Sequence, residues 1–476
     1  MRFRRRASLP DTISPEPALR PRPTLALALL VLIPVLISVS SAVLFGRHAG
    51  MARGSVFELA NLVGPTAQSL LAGGGLTACT EAMGTVGNPI CFHAARMPVA
   101  TAVVALGVRI FGDRYLPVDL FKTLLLLLPV EAAIVLVVHA VGRSPRPLAV
   151  WRRGVIYLLL LIPFGMTAFL ADVVNMQVEE GYTYSVLALL FAILLFGRVR
   201  QRQGLGPPVL FALLADALYL SKSAMLPAAV VLAAVYLWRL RVPRPRLVAL
   251  TLMLLAPLGW AAWQHHASGR YTLGTSLDGI NFHKGNNPEF LGRYPPRAGE
   301  SLDQYDPGLN RGHSFGDEWS FNDFHQHAAV DFLLAHPDRT AGADLRKIEV
   351  IFFSLHKLGS NESGGGMQAI ETLGIVLFRL LLFGALLLSG YVLISGRNRV
   401  QAAVLLPEGR EWRRDRERAA WTFLALVAAC VLPYVAGFAY TRHISILIYP
   451  SALLCARILL DWPAPVVKAA ALAAGC

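Results

Sequence analysis

Charge is scarce in this sequence. Asp, Glu, Lys and Arg together make up 16% of the 476 residues, while 55% are hydrophobic and the mean hydropathy is +0.52. This composition excludes an ordinary soluble domain, because it would leave too much apolar surface in water. The net charge of +14 comes from Lys and Arg in short clusters between apolar runs. Such clusters are typical of membrane topology signals, so we expect membrane lipids and no nucleic acid among the partners.

Cysteine is also scarce, with five residues in the chain. Cys430 and Cys455 lie within apolar runs, where cysteine usually serves as a small packing residue. Cys79 and Cys91 fall instead in one connection between runs, twelve positions apart. An oxidising compartment would let these two pair, which makes Cys79–Cys91 the candidate disulfide.

The apolar runs predict about ten transmembrane helices, since roughly twenty apolar residues in a helix cross the hydrocarbon core of a bilayer. The first run is too long for the core of a cleavable signal peptide, so we expect it to be retained. The runs lie near residues 25–45, 116–141, 154–171, 183–197, 207–221, 226–238, 247–263, 370–395, 420–440 and 444–462.

Arginine clusters recur on every second connection between these runs. The intervening connections carry almost no positive charge, and positively charged loops stay in the cytoplasm. We therefore expect a multi-pass protein of the bacterial inner membrane with a cytoplasmic N-terminus and a periplasmic active site. The clusters lie within residues 2–22, 143–153, 198–202, 239–246 and 397–418.

The predicted fold class is thus an all-α polytopic membrane protein with two long periplasmic segments. The stretch Met97–Phe111 is too short to span and has a proline near its start, so we expect an interfacial helix there. The second segment is a small α-rich loop domain, with helices expected at 319–335 and 340–353. The predicted units are a basic tail (1–24), a catalytic transmembrane module (25–263) that includes external loop 46–116, the loop domain (264–368), and C-terminal helices (369–476) with a basic cytoplasmic loop (396–419).

Carboxylates near the periplasmic helix ends are the first candidates for chemistry, because ionisable groups at membrane boundaries are costly and are usually kept for function. Glu58 follows the first helix. It suits a general base, and the simpler alternative is an acid that favours a helix dipole. Asp172, Glu179 and Glu180 lie between the third and fourth helices. They are candidates for binding an acceptor or a metal, or they are simply solvated.

Two cations on the same face are candidates for binding a phosphate. Lys222 lies between Ser221 and Ser223, where two apolar runs meet. Snorkelling to the headgroups is the alternative for such a lysine. Arg442 lies between the last two helices, on the face where positive charge is otherwise scarce. Because an arginine fork matches phosphate oxygens, we expect Lys222 and Arg442 to hold one phosphate.

The most specific motif of the chain is the string Gly279-Ile-Asn-Phe-His-Lys-Gly-Asn-Asn-Pro288. Together with Glu58, Ser221-Lys222 and Arg442, it resembles the GT-C superfamily of glycosyltransferases that use polyprenyl-phosphate sugars. The likeness is to the branch of protein O-mannosyltransferases and lipid A aminoarabinose transferase, and it covers most of the chain. Within this motif, the resemblance implies that Asn281, Gly285, Asn286 and Asn287 belong to the site.

The resemblance implies inverting transfer of a sugar from a polyprenyl-phosphate donor to a glycan, lipid or protein acceptor. Glu58 would take the proton of the attacking hydroxyl or amine. Lys222, Arg442 and Lys347 would stabilise the departing phosphate. No cofactor is certain, and a requirement for a divalent metal is left open.

A transporter or flippase of a lipid-linked or small anionic substrate is the alternative function. Carriers usually show paired repeats and discontinuous helices, and we find neither a repeat nor mid-helix charge pairs in the sequence. The histidines between residues 265 and 356 could suggest a zinc site, but they do not show the paired spacing that zinc ligands have. His325 and His327, for example, would point apart on a helix.

The Glu58→Gln variant is expected to abolish sugar transfer and to leave membrane insertion intact, because an amide cannot accept the proton. Product levels in a complementation assay, compared at equal amounts of membrane-inserted protein, measure this. Unchanged product would remove Glu58 from the mechanism.

Overall fold

The computed structural model describes residues 24–52, 55–58, 62–85, 88–144, 148–161, 163, 178–197, 204–288, 313–354, 365–398 and 407–462. These residues are overwhelmingly helical, in agreement with the predicted fold class. In chain order the elements are α1 (Thr24–Ala52), α2 (Val63–Leu71), β1 (Ala78–Thr85), β2 (Asn88–Phe92), α3 (Pro98–Phe111), α4 (Tyr115–Gly142), α5 (150–161), α6 (Val178–Phe196), α7 (Gly206–Ser221), α8 (Leu226–Arg239), α9 (Pro243–Ser268), α10 (Asp278–Gly285), α11 (Glu318–Ala335), α12 (Pro337–Phe353), α13 (Gly365–Asn398), α14 (Pro407–Ala436) and α15 (Ile448–Leu460). Short 3₁₀ helices cover Val56–Glu58, Ser223–Met225 and Thr441–Leu447.

Proline and glycine set several of these boundaries. Pro98, Pro243 and Pro337 occupy the first turn of α3, α9 and α12, where a missing N–H costs nothing. Gly112 and Gly269 follow α3 and α9 with positive φ, which L-residues with a side chain adopt only under strain. Gly269 marks the end of α9, which runs five residues beyond residue 263, the predicted end of its apolar run.

Among the residues that the structure describes, five helices are long and apolar enough to cross a membrane: Tyr115–Gly142, Pro243–Ser268, Leu373–Ser395, Arg414–Ala436 and His443–Leu460. Further apolar helices in the described residues are shorter, among them Glu180–Phe196, Gly206–Ser221 and Ser223–Arg239. The predicted run 154–171 is helical as far as residue 161, and its remainder lies almost entirely outside the described residues. The count of ten spans therefore stays a prediction.

The outer surface of the bundle is apolar. On α9 the side chains of Leu247, Leu254, Leu255 and Leu258 are exposed, and on α13 Leu387 is 76% exposed. Contiguous apolar surface of this kind is unstable in water and is matched by hydrocarbon. The buried core lies between the helices, around α6, whose residues from Tyr182 to Ala192 are all buried.

The bundle has two chemically different ends. At one end Arg152 donates to the carbonyl of Trp462, Arg239 to that of Leu194, and Arg457 pairs with Asp461. We call this the arginine end. At the other end lie residues 62–97, 269–288 and 313–354, which we call the crown. The described parts of the predicted basic connections, within 148–153, 239–246 and 407–418, thus lie at the end opposite the crown, whereas the predicted clusters 2–22 and 198–202 lie outside the described residues.

A β-hairpin in the crown is the main departure from the all-α prediction for the first loop. Strands β1 and β2 pair antiparallel, with Cys79 directly opposite Cys91, and the structure joins the two in a disulfide. The helix expected at Met97–Phe111 is present as α3, and its interfacial position stays a prediction. The strands escape sequence reading because Ala78–Thr85 has neither alternating apolar residues nor a run of β-branched ones.

The crown is fastened to the bundle at the end of α14. The last carbonyls of a helix have no partner within it. Two side chains of the crown supply donors: Asn286 Nδ2 lies 2.8 Å from the carbonyl oxygen of Ala436, and Lys347 Nζ lies 2.9 Å from that of Val435. Lys347 Nζ also donates to Asn286 Oδ1 at 3.0 Å, so the two contacts form one unit.

Gly285 permits this attachment, because a Cβ there would collide with the carbonyl of Gly437. Gly285→Ala is expected to lower the stability of the folded protein by about 1–3 kcal/mol, the usual range for overpacking a tight contact. Thermal unfolding in detergent measures it. The matched control is Gly342→Ala on α12, where a Cβ meets no atom within 4 Å. Equal unfolding temperatures for the two variants would contradict the close approach.

Candidate functional site

A cavity of about 830 Å³ opens where the crown meets the bundle. Its walls come from α6, the α7–α8 junction, the end of α14 and the 3₁₀ helix Thr441–Leu447 on the bundle side, and from α10, α11 and residues 95–97 and 270–275 on the crown side. Its lining contains both polar and apolar residues. The ionisable residues of its lining are Arg96, Glu180, Lys222, Arg270, Asp278, Lys284, Tyr271, Tyr434, Tyr440 and His443.

An ion pair between Lys222 and Glu180 lies in the bundle wall of this cavity. The Lys222 Nζ is 2.7 Å from Glu180 Oε1, and the side chains are 16% and 4% exposed. Lys222 interrupts the helical backbone, with extended φ and ψ of −160° and 123° between α7 and the next 3₁₀ turn. Its ammonium lies 5.6 Å from the centre of the Tyr434 ring. A charge pair this sheltered is costly to build, which favours a functional reason for it.

The predicted acidic cluster is only partly described. Glu180 joins Lys222 as an ion-pair partner, which sequence reasoning had treated separately. Asp172 lies outside the described residues, and Glu179 has a described backbone on α6 but no described side chain. Glu180 is therefore the one member of the three whose side-chain contacts the structure describes.

Asp278 is a cavity residue that sequence reasoning missed. Its carboxylate accepts from the Thr275 N–H and from Thr275 Oγ1, both at 2.8 Å, and from Ser223 Oγ at 3.4 Å. The side chain is open to the cavity, and the protein that surrounds it raises the pKa of Asp278 by reducing its hydration. Ser223 directly follows Lys222, so the carboxylate lies beside the ion pair. The available signal was its position beside the Gly279–Pro288 motif.

A stack of aromatic rings forms the wall next to Lys222. The rings of Tyr434 and His443 are stacked at 3.9 Å between centres. The Tyr440 N–H donates to His443 Nδ1 at 3.1 Å, which leaves the ring proton of neutral His443 on Nε2. The neighbouring Arg442 lies in the same 3₁₀ helix at the crown end of the bundle, and its side chain is not among those described.

Arg96 is a second cation that sequence reasoning did not single out as a ligand. The buried carboxylate of Glu318 accepts from the N–H groups of His93 and Ala94 at 3.1–3.2 Å. These bonds hold the irregular segment that follows β2 against α11, and Arg96 and Met97 then line the cavity. Arg96 also lowers the pKa of Asp278, against the larger effect of burial.

The motif residues divide between the cavity and the attachment of the crown. Asn281 lines the cavity. Gly285 and Asn286 contact the end of α14, and Asn287 Nδ2 donates to the carbonyl of His283 at 2.8 Å. Only one of the four quoted motif residues therefore faces the space where a substrate would bind.

Lys347 does not line the cavity. Its ammonium is fully buried and donates to Asn286 Oδ1, Asp344 Oδ1 and the Val435 carbonyl, at 2.9–3.0 Å. Three acceptors saturate an ammonium. Burial lowers the pKa of Lys347, and Asp344 partly opposes this. Lys347 therefore attaches the crown to the bundle, and it does not face the space where the predicted phosphate would bind.

Glu58 lies at the same end of the bundle as the cavity. The 3₁₀ helix Val56–Glu58 is held by Asp113, which accepts from the Val56 N–H and Ser55 Oγ at 2.7 Å. Val56 packs in one apolar cluster with Tyr182, two residues from Glu180. The side chain of Glu58 is not among those described. Its predicted role as general base therefore stays a prediction.

Metal-binding groups of three or more His, Cys, Asp or Glu are not found among the described residues. His283 and His325 do meet, with their Nδ1 atoms 2.9 Å apart, in an aromatic cluster of the crown with Phe315, Phe321 and Phe324. One ring must donate to the other, so the accepting ring is neutral, and burial lowers the pKa of both histidines, which favours the neutral form of each. The requirement for a divalent metal stays open.

Comparison with known proteins gives no relative: no family model, curated protein or solved structure matches the chain.

The histidine pair predicts that acid destabilises the crown. Burial lowers the pKa of His283 to about 4 and that of His325 to about 3, against about 6.5 when unfolded. The two neutral histidines contribute their full share to the free energy of unfolding above pH 6.5. This share is lost as the pH falls towards 4, and for His283 the loss is on the order of 3 kcal/mol. Unfolding temperatures in detergent at pH 7.5 and 4.5 measure this loss.

The control for this prediction is His327→Gln, which changes an exposed histidine two residues away. It is expected to keep the full pH dependence, whereas a His283→Phe, His325→Phe double variant is expected to flatten it. The same pH dependence in both variants would show that other groups cause it.

Proposed function

We propose that this chain is a membrane glycosyltransferase that moves a sugar from a polyprenyl-phosphate donor to an acceptor at the periplasmic face of a bacterial inner membrane. One observation carries the proposal. A single cavity at the boundary of bundle and crown combines a sheltered cation, Lys222, with a carboxylate, Asp278, that is open to the same space. Phosphate release and proton removal need these two groups side by side.

The phosphate of the donor fits the inner part of the cavity. Lys222, Arg96 and Lys284 all line it, and Glu180 holds Lys222 in place. A phosphate beside Lys222 would meet an already desolvated ammonium, which strengthens the attraction. The proton on His443 Nε2 is a further donor in the same wall. Arg442, in the same turn, remains a predicted ligand.

The apolar residues of the cavity suit the isoprenoid chain of the donor. Met97, Leu226, Pro227, Phe282 and Phe438 are part of its lining. Leu226 and Pro227 begin α8, a helix whose Val230 is 57% exposed on the apolar outer surface. A lipid with its phosphate at Lys222 could therefore leave the cavity along α8 towards the bilayer.

The proposed reaction is a single displacement at the anomeric carbon. The acceptor oxygen or nitrogen forms the new bond, the bond from carbon to the phosphate oxygen breaks, and the electron pair leaves with the polyprenyl phosphate. The proton of the acceptor passes to a carboxylate. Asp278 is the carboxylate that the cavity offers, and Glu58 is the one that the family resemblance offers. The anomeric configuration is inverted by such a displacement.

The charge distribution supports the proposed orientation. Arginines gather at the end of the bundle opposite the crown, and positive loops remain in the cytoplasm. The crown would then face the periplasm, where the Cys79–Cys91 disulfide is chemically stable.

A transporter or flippase is the second candidate. The observation that favours it is a buried ion pair near the start of α4, in which Lys122 Nζ lies 3.0 Å from Asp119 Oδ1. This pair corrects the expectation from sequence that no charge pair lies within a helix. Buried charges within a span often mark a transport path. Product analysis separates the two, because a transporter moves its substrate without changing it.

We predict that loss of the ammonium at Lys222 lowers donor retention. The protein is purified in mild detergent, and co-purified polyprenyl-phosphate sugar is quantified by mass spectrometry. Because Lys222→Ala alone leaves Glu180 buried without its partner, the test variant is Lys222→Gln, Glu180→Gln. We expect at least about tenfold less lipid per protein, since a bond to a charged group is worth about 1.5–3 kcal/mol.

Two controls accompany this measurement. Glu180→Gln alone keeps the ammonium and is expected to keep the lipid. Arg346→Ala removes an exposed cation of α12, far from the cavity lining, and is expected to change nothing. Equal lipid in the double variant and the wild type, or wild-type protein without any polyprenyl-phosphate sugar, would overturn the donor site. Asp278→Asn and Glu58→Gln, assayed for transfer with donor bound, then decide which carboxylate takes the proton.

A further inference from the structure

The mouth of the cavity differs chemically from its inner part. Around Lys222 and Glu180 the side chains are sheltered and charged. On the crown side, residues 270–273 and the start of α11 form a more open rim, where Tyr271 is 68% and Leu273 45% exposed. The rim contains aromatic rings, amides and a neutralised arginine. Such a surface is suited to a different ligand from the one that suits the inner cations.

Arg270 lies over the ring of Trp319 on this rim. The guanidinium of Arg270 lies 5.0 Å from the centre of the Trp319 ring. Both Asp323 oxygens accept from Arg270 Nη1, at 2.6 and 2.7 Å. Asn322 Nδ2 donates to the same Asp323 at 3.1 Å, while Asn322 Oδ1 accepts from the Gly279 N–H. The planar groups are therefore held in position before any ligand arrives.

Tyr271 supplies a second fixed ring. One face of it stacks on His265, at 4.0 Å between ring centres and 8° between planes. Because the side chain is still 68% exposed, its other face is available to a ligand. Thr272 and Gln326 line the cavity nearby and carry a hydroxyl and an amide. The rim thus has an open aromatic face next to groups that both donate and accept hydrogen bonds.

The charges of the rim cancel. Arg270 is matched by Asp323, so the rim as a whole offers no net attraction to an anion. The ligand that suits it has an apolar face for the aromatic ring and many hydroxyls for the planar polar groups. A pyranose or furanose ring has both, with its C–H groups on one face and its hydroxyls at the edge.

We propose that this rim binds a neutral saccharide, and that the acceptor of the transfer is therefore a glycan. The choice of acceptor rests on the proposed function, whereas saccharide binding at the rim does not. A glycan on Tyr271 would extend into the cavity towards Asp278, which lies in the same lining. Its hydroxyl would then be the group that attacks the donor sugar.

The proposal is tested by saturation-transfer difference NMR on the full-length protein in detergent or nanodiscs. The probes are neutral tetrasaccharides of glucose, galactose, mannose and N-acetylglucosamine, each at millimolar concentration. We expect transfer to the ring protons of at least one of them. The Tyr271→Ala variant is expected to bind that probe at least tenfold more weakly.

The matched control is Tyr391→Ala. Tyr391 is also an exposed tyrosine stacked on an aromatic ring, that of Trp462 at 5.9 Å, but it lies at the arginine end. It is expected to leave saccharide binding unchanged. Equal weakening by both variants would show that the effect comes from the fold. AMP and an aromatic tetrapeptide serve as competing probes, and a preference for either over every saccharide would overturn the proposal.

The test also separates this inference from the donor site. Lys222→Gln, Glu180→Gln is expected to lose the lipid and keep the saccharide, and Tyr271→Ala is expected to do the reverse. If the wild-type protein binds a saccharide but carries no polyprenyl-phosphate sugar, the saccharide site at the rim is supported and the proposed transferase activity is rejected. Lipid without any saccharide signal would retain the donor site and overturn the glycan acceptor.

Discussion

The Lys222–Glu180 ion pair is the interaction on which the site depends. It joins the start of α6 to the end of α7 and holds a cation over Tyr434 of α14, so three helices share one electrostatic contact. Two charges removed from water stabilise each other only if their geometry is maintained. A phosphate that binds there must compete with Glu180 or join it as a second partner of the ammonium. In the proposed donor site the cation is therefore already held by a counter-charge before any ligand arrives.

Attachment and cavity lining are shared by one short segment of the crown. Asp278, Asn281, Phe282 and Lys284 line the cavity, while Gly285 and Asn286 contact the end of α14. Lys284 and Gly285 are neighbours, so the two roles meet at adjacent residues of α10. A substitution in this segment can thus alter the cavity, the attachment of the crown, or both. Lys347, on another helix, belongs with the attachment residues.

Apolar runs and proline positions were sufficient to predict where most helices lie, because hydrocarbon length and φ restrictions act locally. Lys222 and Glu180 were each found from sequence, but their pairing depends on how α6 packs on α7. The β-hairpin went unpredicted because its strands carry no alternation. Asp278 and Arg96 were missed as ligands since their exposure to a cavity is a property of the assembled crown. Lys347 was predicted to bind a phosphate because the sequence around a lysine does not show whether its side chain is buried.

The contacts at the end of α14 have a practical consequence. Asn286 and Lys347 donate to the carbonyls of Ala436 and Val435, which the helix itself leaves without partners. If the crown were excised and produced as a separate fragment, the buried ammonium of Lys347 would lose one of its three acceptors. The remaining bundle would keep carbonyls without partners at the end of α14. The two parts thus complete each other's hydrogen bonds, although only the bundle has an apolar outer surface.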